Sequence, residues 1–394
     1  MRRRLIIVGA GPAGLSLART LSGSRTEITL VEKQPREQLA DPRPDGREIA
    51  LTQASIRHLQ SLGAWERIAP AERHELREAR VLDGASPFAL AIAPPARRTS
   101  HLGVLVSNHL IRRALFEATE GQDGVTLLCG REVRQARADS DGVSVRLDDG
   151  TMLEGDLLVA ADSRFSFTRS ALGMGAEMIP TGRNMFVCRV RHAHPHAGIA
   201  TEWFDYRRTI AMLPLGPGMS SAVLTLPHED AKELAALPLA QLGPQIAALT
   251  RDRWGWIEAV GPPVAYPLTM TFSHRFSGPR AVLIGDAAVG MHPVTAHGFN
   301  FGLAGAMRLG RLLRGAGDVG EARLLRRYAA AHRAATRPLY LATLALVRLY
   351  GDDRPGARGL RKAVLRAGAL PPVRHALSAM LVDRAHRRHI LAAG

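Results

Sequence analysis

The segment RRLIIVGAGPAGLSLARTLSG near the N-terminus constrains the fold more than any other part of the chain. An apolar, β-rich run is followed by Gly-x-Gly-x-x-Gly, formed by Gly9, Gly11 and Gly14, and then by a helical apolar pattern. In this context the first glycine permits a tight turn, the second leaves room for a pyrophosphate, and the third lets the helix pack closely on the strand. The helix N-terminus would present its free N–H groups to the phosphates. The segment therefore predicts a Rossmann-like dinucleotide-binding unit.

A second strand, EITLVEK, places an acidic residue where such a unit needs one. Glu32 follows Gly14 by eighteen residues. A carboxylate at this position can accept hydrogen bonds from ribose hydroxyls. The motif by itself is compatible with either NAD or FAD.

Two later motifs favour FAD. The stretch LEGDLLVAADSRFSFTRSALG predicts a strand and a polar loop, and VLIGDAAVGMHP follows more than a hundred residues later. An NAD domain needs neither, whereas the ribityl chain and the ring of FAD extend beyond the first βαβ unit. Asp286, at a strand end, is placed to accept from ribityl or ribose hydroxyls. Gly298 and Gly302 would open a helix whose N-terminus stabilises negative charge on reduced flavin.

Four motifs, GAGPAG, GREIALTQASIRHLQSLGAWERI, AADSRFSFTR and GDAAVGMHPVTAHGFNFGL, occur in the order seen in single-component FAD-dependent aromatic hydroxylases. The chain resembles this family along nearly its whole length. It is most similar to the ubiquinone-biosynthesis hydroxylases, and VTAHGFN resembles a subgroup that acts at a late ring hydroxylation. The resemblance implies an α/β fold like that of p-hydroxybenzoate hydroxylase, with FAD, O2, and NAD(P)H or another electron donor. It also implies attack of a hydrophobic quinol precursor on a flavin C4a-hydroperoxide.

The resemblance also assigns residues to the site. It implies that the following residues bind the cofactor: Gly9, Gly11, Gly14, Glu32, Arg47, Arg112, Asp162, Asp286, Pro293, Gly298 and Asn300. A base that ionises the phenol would help the reaction, and His292 and His297 are the candidates because imidazole titrates near neutrality. The alternative for His292 is a structural hydrogen bond beside Pro293. The sequence has no Cys/His cluster at ligand spacing, so we predict no metal.

The chain departs from the family pattern at three places. Ser163 stands where the middle motif usually has glycine, Val289 where a histidine is frequent, and Ala296-His297 where Gly-Gln is common. Ser163 argues against binding of a nicotinamide nucleotide, which the middle motif serves alongside FAD. Three other functions also stay open. They are hydroxylation of a non-quinone aromatic compound, reduction of a prenyl chain, and a non-catalytic flavin-binding role in a quinone-synthesis complex. Ser163 and Val289 are the features that would favour the last.

The pattern of predicted elements indicates a discontinuous organisation. We predict a first part of the FAD-binding domain over 1–175, with a short excursion into the substrate domain near 80–100. A β-sheet substrate domain over 176–271 alternates like strands joined by Gly- and Pro-containing turns. The FAD-binding domain resumes over 272–340, and C-terminal helices occupy 341–394.

Charge and apolar runs bear on partners and location. The formal net charge is +16, and only three of the basic residues are lysines. No nucleic-acid-binding motif accompanies this charge, so we predict no nucleic-acid partner. The N-terminal apolar run is too short for a signal peptide, and no apolar stretch reaches the length of a bilayer span. We expect a cytoplasmic protein, with peripheral contact to the inner membrane as an option, and the basic segment DRAHRRHI as a candidate lipid contact.

Overall fold

The computed structural model describes residues 3–94, 100–205, 208–351 and 354–381, so the segment DRAHRRHI lies outside the described residues. The strands are, in chain order, β1 (Arg3–Val8), β2 (Thr26–Glu32), β3 (Glu48–Thr52), β4 (His74–Leu76), β5 (Glu78–Asp83), β6 (Ala89–Ile92), β7 (Gly103–Ser107), β8 (Val125–Cys129), β9 (Val133–Ala138), β10 (Val143–Leu147), β11 (Met152–Gly155), β12 (Leu157–Ala160), β13 (Ala176–His192), β14 (Ile199–Asp205), β15 (Arg208–Gly216), β16 (Met219–Pro227), β17 (Ile257–Ala259), β18 (Val264–Ser273), β19 (Ser277–Gly278), β20 (Ala281–Leu283) and β21 (Val289–Gly290). The α-helices are α1 (Pro12–Thr20), α2 (Arg36–Ala40), α3 (Gln53–Ser61), α4 (Asn108–Thr119), α5 (Phe167–Ala171), α6 (His228–Ala236), α7 (Leu239–Leu249), α8 (Gly298–Arg314), α9 (Ala322–Gly351), α10 (Pro355–Ala369) and α11 (Pro371–Leu381). Short 3-10 helices span Trp65–Arg67, Pro70–Glu72, Gly285–Ala287 and Pro293–Thr295.

A six-stranded sheet in the order β19-β20-β12-β1-β2-β8 carries the N-terminal unit. All its pairings are parallel except β19 with β20. The strands β1, β12 and β20 are continuous apolar runs because helices or a second sheet cover both faces of a parallel sheet. The helices α1, α4 and α8 contribute to the main hydrophobic core on one face. The predicted α/β, Rossmann-like fold class is confirmed.

Two three-stranded sheets complete this half of the molecule. The strands β9, β10 and β11 form an antiparallel meander that packs against the other face of the six-stranded sheet. The strands β3, β7 and β4 form the second small sheet, with β7 in the centre. Its position matters for function, since β3 follows directly after the segment that contains Arg47.

A nine-stranded sheet holds the middle of the chain. Its order is β21-β18-β13-β16-β15-β14-β5-β6, and β17 pairs with β13. The outer face of this sheet carries Phe186, Trp203 and Leu224, which pack under α6 and α7. Pro238 separates these two helices, whereas Pro244 lies inside α7 without ending it.

The opposite face, called the inner face here, carries Val187 and Arg189 of β13. Near Val187 the inner face packs on the segment before β3, since a Cβ on Gly46 would lie 3.4 Å from the Cβ of Val187. At the far end Leu90 of β6 packs against Leu365 of α10. The strands β5 and β6, from the predicted excursion near 80–100, belong to this sheet, while the division into domains stays a prediction.

The C-terminal region is helical, as the sequence indicates. The helix α9 is 30 residues long and contains Pro338. It packs on α8 where His332 lies over Gly305, since a Cβ on Gly305 would come within 2.7 Å of the imidazole. Further along, Tyr350 stacks on Phe204 of β14 with ring centroids 3.7 Å apart. Within the described residues, no helix combines the length and the apolar character required to cross a bilayer.

Candidate functional site

The turn between β1 and α1 has the geometry that its three glycines predict. Gly9 has φ +105°, and a Cβ there would lie 2.5 Å from the carbonyl oxygen of Ala161. A Cβ on Gly14 would lie 2.0 Å from the carbonyl oxygen of Gly9, whereas a Cβ on Gly11 would meet nothing within 4 Å. The helix α1 begins without a side-chain cap, so its first N–H groups have no intrahelical or capping partner. The open space beside Gly11 therefore lies at the unpaired N–H donors of α1, and this arrangement fits a diphosphate.

Glu32, at the end of β2, is held beside this turn by backbone donors. Its two carboxylate oxygens accept hydrogen bonds from the backbone N–H of Ala10 at 2.8 Å and of Gln34 at 2.9 Å. A carboxylate offers about four acceptor positions, so two remain for other donors. Ribose hydroxyls are donors of the kind that this arrangement can accept.

Arg112, on α4, lies close to the same edge. Its guanidinium donates a hydrogen bond of 2.8 Å to the side-chain oxygen of Gln34. Burial lowers the pKa of Arg112, although the guanidinium stays charged, and the carboxylates of Asp45 and Glu32 act in the opposite direction. The contact with Gln34 ties α4 to the end of β2.

Arg47 belongs to a network that the sequence did not reveal. Its guanidinium pairs with Asp45 at 2.6 Å, and Asn108 donates to the same carboxylate oxygen at 2.7 Å. The hydroxyl of Tyr266 donates to the backbone oxygen of Asp45, and its ring lies 5.8 Å from the guanidinium. Burial raises the pKa of Asp45, but the charge and hydrogen bonds of Arg47 outweigh burial and hold that pKa below its usual value. Arg47 is thus fixed and charged.

The middle motif forms a tightly bonded turn. Asp162 accepts from the Ser166 hydroxyl through one oxygen and from the backbone N–H of Thr168 at 3.0 Å through the other. Both oxygens are therefore engaged with the first turn of α5. Ser163 has φ +107°, a backbone conformation that favours glycine. This conformation is a physical reason for the glycine that the family pattern has at this position.

Asp286 follows β20 on a 3-10 turn and faces the middle motif. Its carboxylate pairs with Arg164 at 3.0 Å, and 38% of the Asp286 side chain is exposed. Arg164 also donates to the backbone oxygen of Thr269 at 3.0 Å. Buried Arg169 bonds the backbone oxygens of Ala287 and Arg164, both at 3.0 Å. Arg164 lies within the AADSRFSFTR motif but was not among the predicted site residues.

His292 and Pro293 open the loop after β21. The Nδ1 atom of His292 accepts a hydrogen bond of 3.3 Å from the backbone N–H of Val294, so His292 caps the 3-10 helix that begins at Pro293. Burial, with smaller contributions from Arg164 and Arg183, lowers the pKa of His292 to about 4. This imidazole is neutral at pH 7, and its Nδ1 lone pair is already used.

His297, Gly298 and Asn300 form the junction with α8. The Nδ1 of His297 donates to the backbone oxygen of Thr295, which places the other nitrogen in the acceptor form when the ring is neutral. Asn300 accepts from the backbone N–H of Thr52 at 3.1 Å and donates to the backbone oxygens of Ala50 and Ala296, both at 2.9 Å. Asn300 therefore ties the loop to β3.

The start of α8 carries no side-chain cap, and Gly298 is its first residue. Ala296 has φ +52°, again a conformation that favours glycine, and it stands where the family pattern has glycine. Both departures, Ser163 and Ala296, thus retain the backbone conformation that the family glycines permit. The open N-terminus of α8 lies at the end of the loop that begins at His292.

Charged side chains of the site form a series between the N-terminus of α1 and the N-terminus of α8. Glu32 is within electrostatic range of Arg112, Arg112 of Arg47, and Arg47 of Asp286. An elongated dinucleotide with an anionic centre and a ring at one end fits this series of donors, acceptors and charges. The fold and the site together define a flavoprotein with an FAD-binding domain.

Comparison with known proteins gives the family. A family model described as an FAD binding domain matches residues 3–340. The chain is 40% identical to ubiquinone hydroxylase UbiM of Neisseria meningitidis over 96% of this chain and 84% of that protein. It is 33% identical to ubiquinone hydroxylase UbiL of Rhodospirillum rubrum over 95% of this chain and 90% of that protein. The chain therefore belongs to the FAD-dependent hydroxylase family that contains these two proteins.

A solved structure supports the fold. HpxO of Klebsiella pneumoniae, crystallised with FAD and uric acid, superposes with a TM-score of 0.74 at 20% identity, covering 96% of this chain and 97% of that one. The predicted family, the FAD cofactor and the assignment as an FAD-dependent monooxygenase are confirmed. Enzymes of this class use O2 and a reduced electron donor. The roles of individual site residues stay predictions.

Proposed function

We propose that the protein hydroxylates the aromatic ring of a polyprenylated phenol or quinol in ubiquinone biosynthesis. The observation that carries this proposal is the likeness to two ubiquinone hydroxylases along nearly the whole chain. Hydroxylation of a non-quinone aromatic compound is the second candidate, since the flavin site would be the same for both.

The cofactor residues follow from the series of polar groups. The diphosphate would lie at the α1 N-terminus beside Gly11, and a ribose would bond to Glu32. Asp286, held by Arg164, would accept from hydroxyls of the ribityl chain. A reduced flavin bound there would activate O2 for transfer of one oxygen atom to the ring. The uncapped N-terminus of α8 would stabilise negative charge on the reduced ring through the helix dipole.

The two histidines differ as candidate bases. The low pKa of His292 and its capping hydrogen bond make this imidazole a weak base at neutral pH. They support the alternative that His292 makes a structural hydrogen bond beside Pro293. His297 presents the acceptor form of its second nitrogen, and we propose it as the better candidate. The test is His297→Gln, with NAD(P)H oxidation and hydroxylated product measured separately. An unchanged rate and an unchanged ratio of product to NAD(P)H would reject a catalytic role.

The substrate is tested in cells that lack the gene, with quinones extracted and analysed by mass spectrometry. We expect an under-hydroxylated polyprenyl phenol to accumulate, and we expect wild type but not Asp286→Ala to restore the mature quinone. An unchanged quinone pool would reject the quinone substrate and favour a non-quinone aromatic compound. Incorporation of oxygen from labelled O2 into the product separates hydroxylation from prenyl reduction. A purified protein that binds FAD but turns over no quinol precursor would support the accessory role.

Contact with a membrane surface is a further part of the proposal. Four apolar side chains are exposed along α10, α11 and the residue between them: Leu360, Val364, Leu370 and Val373. The exposed basic residues Lys362 and Arg366 lie between them in sequence. An apolar strip flanked by positive charge is typical of helices that lie on an anionic lipid surface. Flotation with vesicles of phosphatidylglycerol and phosphatidylethanolamine tests this. Equal recovery of wild type and Leu360→Ser/Val364→Ser in the vesicle fraction would reject it.

A further inference from the structure

Glu202, on β14, is an acidic residue that neither the sequence motifs nor the FAD site uses. The segment IATEWFD alternates between the two faces of the nine-stranded sheet, and Trp203 is fully buried on the outer face. Glu202 therefore points to the inner face, as the period of a strand requires.

The register of the sheet places Glu202 in an otherwise apolar row. Across the inner face, Val187 pairs with Val223, Val223 with Ala211, Ala211 with Glu202, and Glu202 with Val81. Each partner is a small aliphatic side chain. Glu202 is thus a single carboxyl group in a row of aliphatic side chains.

The two ends of this row are covered by different parts of the molecule. Val187 lies under the segment before β3, which carries Arg47 of the FAD half. Val81 lies under α10, beside Leu365. Glu202, between these contacts, keeps part of its surface accessible. The part of the inner face between these two contacts, which contains Glu202, is called the interval here.

The helix α9 borders the same interval. Thr343 contacts the hydroxyl of Thr295 in the loop that ends at α8, and Tyr350 stacks on Phe204, two residues from Glu202 on the same strand and face. Seven residues of α-helix separate Thr343 from Tyr350, or about 10 Å along the axis. This length is comparable with that of a substituted aromatic ring.

Among the described residues, Glu202 makes neither a side-chain hydrogen bond nor an ion pair, and burial alone raises its pKa to about 8. The group is therefore predominantly a neutral carboxylic acid at pH 7. A neutral carboxyl group is both a donor and an acceptor, so it can bond to a hydroxyl or to a carbonyl group of a ligand. A functional partner would explain why such a group stands there.

We propose that Glu202 is the polar anchor for an oxygen substituent of the substrate ring, and this inference rests on the proposed hydroxylation of a phenol or quinol. The aliphatic row would contact the ring and its apolar tail. The carboxyl group would donate to the ring oxygen and accept from its hydroxyl. Glu202 is thus a positioning and specificity residue that selects oxygenated rings and sets which edge faces the flavin.

The test compares two probes on the purified FAD-loaded protein, 2-geranylphenol and geranylbenzene, which differ by the ring hydroxyl. Binding is followed by the change in flavin absorbance. One hydrogen bond to a buried group corresponds to a preference of about tenfold for the phenol. We expect Glu202→Leu to reduce this preference to below about twofold and Glu202→Gln, which keeps a donor and an acceptor, to retain most of it. Glu258→Leu, at an exposed glutamate of β17 in the same sheet, is the matched control and should keep the preference.

The outcomes separate this inference from the proposed function. A preference for the phenol that persists in Glu202→Leu would overturn the anchor while leaving phenol hydroxylation in place. Equal binding of both probes to wild type would also overturn the anchor. The analysis of the quinone pool decides the proposed function independently. Retained flavin content and thermal unfolding temperature in Glu202→Leu show that a lost preference does not come from misfolding.

Discussion

Replacing Glu202 by glutamine is expected to stabilise the folded protein at neutral pH. An ordinary glutamate has a pKa near 4.5, whereas burial raises the pKa of Glu202 to about 8. Below pH 4.5 the group is protonated in both the folded and the unfolded state and contributes no difference. Between pH 4.5 and 8 the unfolded chain loses the proton and the folded protein keeps it. The free energy of unfolding therefore falls as pH rises through this window.

The size of the effect follows from the same values. Each pH unit in the window costs about 1.36 kcal/mol, so 2.5 units between pH 4.5 and 7 cost about 3 kcal/mol. Partial exposure of the side chain screens the charge and reduces this to about 2 kcal/mol. Ionisable groups also lie on the elements packed nearby, namely Asp83 of β5, Tyr350 of α9, and Arg361 and Lys362 of α10. Burial of Glu202, and none of these charges, causes the shift.

Urea unfolding at pH 5 and at pH 7.5, followed by tryptophan fluorescence, measures the prediction. The stability advantage of Glu202→Gln over wild type should be small at pH 5 and about 2 kcal/mol larger at pH 7.5. Glu258→Gln, at a glutamate that is exposed on the same sheet, should show no such dependence on pH. The reasoning is refuted if the difference between Glu202→Gln and wild type is the same at both pH values.

Three further predictions concern the flavin site. Ala296→Gly should stabilise the protein by about 0.5–1 kcal/mol, because glycine relieves the strain at φ +52°. The added flexibility of the unfolded chain offsets only part of this gain. An unchanged or lower thermal unfolding temperature would contradict the prediction. Arg164→Ala leaves Asp286 without its ion pair and should lower the affinity for FAD about tenfold. The flavin absorbance retained after dialysis measures this affinity. Full retention would show that the ion pair does not position Asp286. His292→Asn keeps an acceptor for the capping hydrogen bond. It should leave the pH profile of kcat/KM unchanged between pH 6 and 8, since the pKa of His292 is about 4. If the variant lost a titration step in that range, His292 would be the base and its structural role would be rejected.

The sequence predicted those parts of the fold that rest on local patterns. The β1 strand, the glycine turn and α1 are adjacent in the chain, and their apolar periodicity and glycine spacing determine the local structure. The alternation over 176–271 likewise predicts strands, and β14 is one of them. It does not say which face would be covered by helices, because that depends on α6 and α7, which follow later in the chain.

The partners of the site residues could not be predicted in the same way. Arg47 was expected at the cofactor, but its network includes Asn108, which is brought close only by the packing of the small sheet. Arg189 and Glu48 form an ion pair of 2.8 Å across 141 residues of sequence. No local pattern encodes such a pairing, because its geometry arises when the inner face of the large sheet packs against β3.

The helices α10 and α11 have a consequence for how the protein behaves among its own copies. β6 is the last strand of the large sheet, and such a strand offers unpaired backbone groups to a neighbouring molecule. Here Ser378 of α11 donates to the carbonyl oxygen of Ala93 at 2.9 Å, and Leu365 covers the side chains of β6. The C-terminal helices therefore cover one end of the large sheet, and a chain truncated before α10 would expose the apolar side chains of its last strand.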